Sequence, residues 1–345
     1  MNAFEKIQTR YGEISDLGNA SALLSWDQQV YMPPRGAAAR GMQLATLSGI
    51  IHERMTAPEL GDLINEARSE KLSGDREAFL RELSFSRDRS MKLPPTLVKE
   101  MSLEESKAFE AWARARKLND FSIFAPHLSR VIELKKQAAE CWGYQETPWD
   151  ALATDYERGL TAAKVEKIFK PLREATVKLL QQIQARPQVN TKFLDQKWDI
   201  DRQREFGLRV ARDIGYDMGA GRQDLAPHPF CTNFGHGDVR ITTRYSQTSL
   251  LDGLFGTVHE AGHAMYEQGF DPADARTPLA EAPSLGVHES QSRFWEVRIS
   301  QSEAFWKHYY PILQQYFPGQ LDDASLEEFY RAINIIEPDF IRVEA

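Results

Sequence analysis

Apolar residues recur at three- and four-residue steps along most of this chain, the pattern of helices that bury one face. Phe4, Ile7, Tyr11, Ile14, Leu17, Leu23, Leu24 and Trp26 predict a helix over residues 2–30. Tyr31-Met32-Pro33-Pro34-Arg35-Gly36 reads as a turn, because paired prolines and a glycine stop a helix. Met42, Leu44, Leu47, Ile50 and Ile51 resume the helical spacing over 37–56, and Pro58 sits just inside the start of the next helix. Residues 60–145 are dense in charge and helix formers, broken mainly at Pro94-Pro95 and Pro126. Charge pairs there, such as Arg81-Glu82 and Lys135-Lys136, read as solvated helix faces. Residues 142–155 read as loop. Amphipathic helices are predicted over 163–185 and 202–214, the second closed by Gly215. No fixed-period repeat or low-complexity tract interrupts the pattern.

The rhythm changes at Gly219. Residues 219–238 are irregular and glycine-rich, and they contain His228-Pro229-Phe230. Asp238 to Tyr245 then alternates and carries β-branched and aromatic residues, which predicts a strand. Such a strand could offer an edge to an extended peptide or simply brace the next helix. That helix, over 253–269, places Leu254, Phe255, Val258, Ala261 and Met265 on helical steps and is stopped by Gly269 and Pro272. Another helical run opens at His288 to Gln291, with Phe294, Trp295, Val297 and Ile299 behind it. The aromatic cluster Phe305, Trp306, Tyr309, Tyr310, Tyr316 and Phe317 reads as core. A last helix is predicted over 326–336, before Pro338. The chain closes on the apolar run Phe340-Ile341-Arg342-Val343-Glu344-Ala345, read as an incomplete C-terminus.

Composition narrows the classes. At 345 residues and 42% hydrophobic, the chain can bury a sizeable core. A net charge of −8 without a basic stripe argues against nucleic acid as a partner. No apolar stretch reaches the length of a signal-peptide core at the N-terminus or of a membrane span anywhere. Only Cys141 and Cys231 occur, far apart, which argues against a disulfide framework and for a reducing cytoplasm. Burial as small apolar residues is the expectation for both.

The chemistry lies in His259-Glu260-Ala261-Gly262-His263. On a helix, positions i and i+4 share a face, so His259 and His263 can offer two imidazole nitrogens to one cation. Glu260 lies about 100° round the helix and can reach a water there without ligating the cation. A zinc site of this kind takes a third ligand from elsewhere and keeps a position open. Glu289 is the candidate third ligand; the alternative is a solvated first-turn carboxylate favoured by the helix dipole. Metal-assisted peptide hydrolysis follows, with Glu260 as general base.

Taken together these motifs resemble the carboxypeptidase Taq family of metallocarboxypeptidases. His228-Pro229-Phe230 matches its HPF motif, Asp238 to Thr242 its D-x-R-x-T, His259 to His263 its metal motif, and His288 to Gln291 its HES/GQ. Ile341-Arg342-Val343-Glu344-Ala345 matches the start of its I-R-x-x-A-D. Leu24 to Asp27 and Tyr31 to Pro33 resemble its first helices, so the match covers essentially the whole chain. Its later G-x-x-Q-D-x-H-W motif has no counterpart here, nor does a downstream tyrosine that would help stabilise the tetrahedral intermediate. The resemblance implies a mostly α, neurolysin-like (gluzincin) fold with a deep groove and a small β-sheet beside the metal helix. It implies one catalytic domain over 1–345, with a helical N-terminal lobe over 1–215 and the metal-site region over 216–345, the C-terminal part of the family fold missing. It further implies one divalent metal (zinc, or alternatively cobalt), a homodimer, and removal of single residues from peptide C-termini with broad specificity. Arg342, then Arg240, become candidates for the substrate's terminal carboxylate, because a guanidinium fork suits it. His228 becomes a candidate oxyanion donor, against the structural role a histidine before proline otherwise has. An oligopeptidase or aminopeptidase on the same metal core is the alternative, the latter weakened by the lack of a G-x-M-x-N motif. A metal-binding helical module without turnover is the third reading.

Overall fold

The computed structural model describes residues 1–336 and Pro338. Helices dominate it. Helix α1 (Ala3–Val30) opens with a capping box in which Asn2 and Glu5 satisfy each other's backbone amides. It packs with α2 (Ala37–Thr56), α3 (Pro58–Ser69) and α4 (Asp75–Met91), and Phe4, Ile7, Leu60, Ile64, Phe79 and Leu83 form their core. Helices α5 (Pro95–Leu118) and α6 (Ala125–Trp142) extend this half. The expected loop at 142–155 contains a short helix, α7 (Pro148–Ala153). Its signal was local: the Asp150 carboxylate accepts from the Thr147 amide at 3.4 Å, with Pro148 at the first helical position.

Helix α8 (Ala162–Gln184) forms where its pattern predicts, yet none of its residues is buried. Ile168, Phe169, Leu172, Val177 and Leu179 are exposed on it. The second half is built on α9 (Ile200–Asp213), which is followed by Tyr216 and a sheet of three short strands. These are β1 (Gln223–Leu225), β2 (Cys231–Asn233) and β3 (Val239–Thr243). Strand β3 lies in the middle, parallel to β1 with Gln223 opposite Ile241, and antiparallel to β2 with Cys231 opposite Ile241. Both edges of β3 are therefore paired. The expectation that a peptide could lie along this strand fails, and its other role, bracing the next helix, is the one observed.

That helix is α10 (Leu251–Gln268). Its apolar residues serve two cores. Ala261 and Ala264 face the sheet through Val239 and Ile241. Leu254 and Val258 face the largest core, with Trp198 and Phe206 and with residues of α12 (Glu303–Tyr316) and α13 (Leu326–Ile333). Between α10 and α12 run α11 (Leu285–Arg293) and one π-helical segment, Phe294–Ile299. The aromatic residues read as core are core: Trp306, Tyr310 and Phe317 are almost wholly buried, and Trp306 stacks edge-on against Phe329 at 4.6 Å. Helix α13 ends at Ile333, three residues before the expected boundary. Cys141 and Cys231 are both free, and both are half-buried rather than fully buried.

Two truncations should separate sharply in this chain. Trp306→Ala is expected to cost about 3–5 kcal/mol, the usual range for emptying a packed aromatic site. Leu172→Ala on α8 is expected to stay within about 0.5 kcal/mol, as an exposed substitution does. Urea denaturation of both variants checks the pair; a comparable loss in each would mean that α8 is packed.

Candidate metal centre

Helix α10 carries His259, Glu260 and His263 into the interior, at 3%, 3% and 8% exposure. Helix α11 crosses it, capped by Ser284, whose hydroxyl accepts from the Val287 amide. The two backbones meet at Gly262. A Cβ there would stand 2.8 Å from Ser292 Cα and 3.0 Å from the Gln291 carbonyl oxygen. No side chain fits into that gap, so the second variable position of the H-E-x-x-H run has to be glycine for this crossing.

The close crossing delivers Glu289. Its Oε2 lies 3.2 Å from His263 Nε2 and 3.6 Å from His259 Nε2. One donor atom from each of the three residues falls within 4.8 Å of the other two. Bonds of about 2.0–2.1 Å in a tetrahedron put neighbouring ligand atoms about 3.3 Å apart, so these spacings fit a small cation. Ser292 Oγ donates to the Glu289 backbone carbonyl at 2.7 Å and lies 3.1 Å from the same Glu289 carboxylate oxygen.

The protonation of His259 supports that fit. Its Nδ1 lies 2.7 Å from Glu296 Oε2 and is assigned as the N–H donor from that partner. In the neutral ring, Nε2 then carries a lone pair, and it faces an anionic oxygen. A cation between them would serve both, the ring nitrogen from a side chain 4% exposed and the oxygen from one 42% exposed. The donor set, two imidazoles and a carboxylate, is one that zinc accepts.

The two helices also brace each other reciprocally. Glu296 on the π segment accepts from His259 on α10. Glu267 on α10 pairs with His288 on α11 at 2.7 Å, and His288 stacks on His263 with centroids 4.3 Å apart. Asn233 Nδ2 of β2 donates to the other Glu267 oxygen at 2.8 Å, tying the sheet to this end of α10. Neither Glu267 nor Glu296 figured in the sequence reading. Glu296 had a signal, since it stands seven residues, two helical turns, beyond Glu289.

The remaining candidates occupy other positions. His228 lies half-buried, its Nδ1 against the Pro229 carbonyl. The segment runs beside α10 one turn before His259, because a Cβ on Gly256 would stand 3.9 Å from Pro229 Cγ. Phe230 and Thr242 lock that segment to β3: the Phe230 amide donates to Thr242 Oγ1 at 2.9 Å, and the Thr242 amide donates to the Phe230 carbonyl at 2.8 Å. Arg240 spends its fork on Asp238, at 2.8 and 2.7 Å, and faces the rings of Trp26 and Phe234. Arg342 lies outside the described residues. Burial, with the carboxylates of Glu260 and Glu267 nearby, pushes the Cys231 thiol well up, so it stays protonated and offers no thiolate. A cavity of about 600 Å³ is lined by His288 and Glu267 from this centre and by Arg89, Trp142, Tyr156 and Arg158 from the helical half. Glu281 also lines it; desolvation pushes that carboxyl up, the Tyr11 hydroxyl partly offsets this, and Glu267 adds to it.

Comparison with known proteins agrees with this geometry. Residues 6–345 match the family model described as carboxypeptidase Taq (M32) metallopeptidase. Carboxypeptidase 1 of Bacillus subtilis is 38% identical over 335 residues, covering 96% of this chain and 67% of that protein. Thermostable carboxypeptidase 1 of Thermus thermophilus is 37% identical over 359 residues, covering 99% of this chain and 70% of that one. The solved structure of Pyrococcus furiosus carboxypeptidase in its apo-Mg form superposes with a TM-score of 0.89 at 37% identity, covering 100% of this chain and 70% of that one.

If the glycine contact sets the third ligand's reach, Gly262→Ala should weaken zinc binding by about tenfold or more, measured by chelator competition. Gly18→Ala is the control, since a Cβ there meets nothing within 4 Å. It should leave zinc binding unchanged and raise stability by about 0.5–1 kcal/mol. Unaltered zinc affinity in Gly262→Ala would contradict the crossing argument.

Proposed function

The chain belongs to the carboxypeptidase Taq (M32) metallopeptidase family, and on that premise we propose that it hydrolyses the C-terminal peptide bond of peptides. The observation that carries the reading is the convergence of His259 Nε2, His263 Nε2 and Glu289 Oε2 beside a buried Glu260 on the same helix. Zinc is the cation we assign, with cobalt the alternative. When bound, it supplies Lewis-acid chemistry and makes a water acidic enough to lose a proton near neutral pH.

The chain's own residues do the rest. His259, His263 and Glu289 hold the cation. Glu260 takes the proton of the attacking water as general base and later delivers it to the leaving amine. The cavity between His288 and the helical half is the place we assign to the peptide. Aromatic Trp142 and Tyr156 on its wall give side chains an apolar surface, which suits broad specificity. His228, whose neighbour Pro229 lies against Gly256 one turn before His259, is assigned as a donor to the developing oxyanion. Arg240's fork is already engaged with Asp238, so Arg342 is the arginine we assign to the terminal carboxylate.

The remaining parts of this reading are a cytoplasmic setting and a homodimer. The first is supported by two cysteines, both unpaired. No helix among the described residues is long and apolar enough to cross a membrane. The second follows from the family resemblance, and sedimentation of the purified chain measures it.

Two measurements test the reading. A metal-loaded sample should release free amino acids from a peptide and spare its C-terminally amidated twin. Equal turnover of both would reject the carboxypeptidase and favour an oligopeptidase. Glu260→Gln should keep one metal per chain and lose at least about a hundredfold in turnover, the scale of general-base catalysis. Glu289→Ala should lose the metal itself.

A further inference from the structure

His259 is held by carboxylates at both ring nitrogens. Glu289 of α11 faces Nε2 at 3.6 Å, and Glu296 of the following π segment meets Nδ1 at 2.7 Å. Both acids come from one continuous helical run, two turns apart, and the imidazole reaches into it from α10. We propose that Glu296 is a positioning residue for the metal: it fixes His259 with the proton on Nδ1 and the Nε2 lone pair aimed at the cation. This rests on the metal reading of His259, His263 and Glu289.

Three observations support it beyond the single bond. First, Glu296 is poorly exposed, at 14% of its side chain, and so its charge acts on His259 with little screening by water. Second, Arg293 Nη1 donates to the same Oε2 at 2.9 Å, which holds the carboxylate in the rotamer that reaches the ring. Third, Glu296 sits inside the π-helical stretch Phe294–Ile299, and the Ser300 hydroxyl donates to its backbone carbonyl at 2.6 Å. A π turn is a rare and costly departure from α-helix that recurs at functional sites. Here it lies between the helix that carries Glu289 and the core helix α12, and it carries the acid that meets His259 Nδ1.

The chemistry is that of an outer partner to a metal-bound imidazole. An anionic acceptor on Nδ1–H selects the tautomer, restricts rotation of the ring and raises the basicity of Nε2. Loss of such a partner ordinarily weakens metal binding by about 10–100-fold. Glutamine at the same place keeps an oxygen to accept from Nδ1–H and loses the charge. It should therefore restore the orientation and part of the affinity.

The test is zinc affinity by chelator competition at fixed pH, with the visible spectrum of the cobalt-substituted protein as a second readout. Wild type, Glu296→Ala, Glu296→Gln and Glu289→Ala are compared, with melting of each metal-free form alongside. The expected result is zinc affinity about 10–100-fold weaker in Glu296→Ala and intermediate in Glu296→Gln, with a changed cobalt spectrum in the alanine variant. Zinc affinity within twofold of wild type in Glu296→Ala would overturn the proposal. If that variant fails to fold without metal, Glu296→Gln decides, and affinity equal to wild type in it would overturn the role of the charge. A wild-type chain that takes up no zinc would instead overturn the metal reading, and this proposal with it.

Discussion

The contact between the backbones of α10 and α11 at Gly262 governs everything around it. Ordinary helix pairs stand 8–10 Å apart at the axes, with side chains between them. Here the Gln291 carbonyl and Ser292 Cα occupy the space a Cβ on Gly262 would need. Closeness at this one point lets a carboxylate of ordinary length, Glu289, come within 3.2 Å of His263 Nε2. Helix propensity disfavours glycine in mid-helix by about 1 kcal/mol, so its place between Ala261 and His263 makes sense through packing.

Electrostatics follow from that crossing. Buried imidazoles and carboxylates are costly unless each finds a partner. The two helices solve this by exchange: α10 gives His259 to Glu296 and Glu267 to His288. The sheet stabilises the arrangement from behind. Ala261 and Ala264 are small enough for α10 to lie against Val239 and Ile241, and Asn233 fastens Glu267. The D-x-R-x-T strand thus spends its arginine on Asp238 and its threonine on the HPF segment, so that two separate sequence motifs become one rigid wall beside the metal helix.

Much of this was legible in the sequence, for physical reasons that differ by element. The i, i+4 spacing of His259 and His263 is a local property of one helix and needs no tertiary information. Glu289 could be named because it opens a second helical run, although nothing in the sequence shows the glycine contact that brings it home. Strands β1 and β2 escaped notice because three residues each are too few to show alternation, and their pairing with β3 is non-local. The same non-locality hid the fact that β3 is central, so the sequence left it an edge it does not have. Helix α7 was missed despite its Thr147–Asp150 cap, because an apolar periodicity cannot develop over six residues. For α8 the reverse holds: its amphipathic pattern is real, and the chain presents that apolar face without burying it. Glu296 stands two helical turns beyond Glu289, but its partner His259 is 37 residues away, so the pairing itself is non-local and leaves no mark on the local pattern.

X-ray absorption at the metal edge of the zinc-loaded chain tests the central claim most directly. Two imidazole shells and one carboxylate oxygen at about 2.0–2.2 Å, at one zinc per chain, are expected if His259, His263 and Glu289 share one ion. A sulfur scatterer, a single imidazole, or no stoichiometric zinc would contradict it.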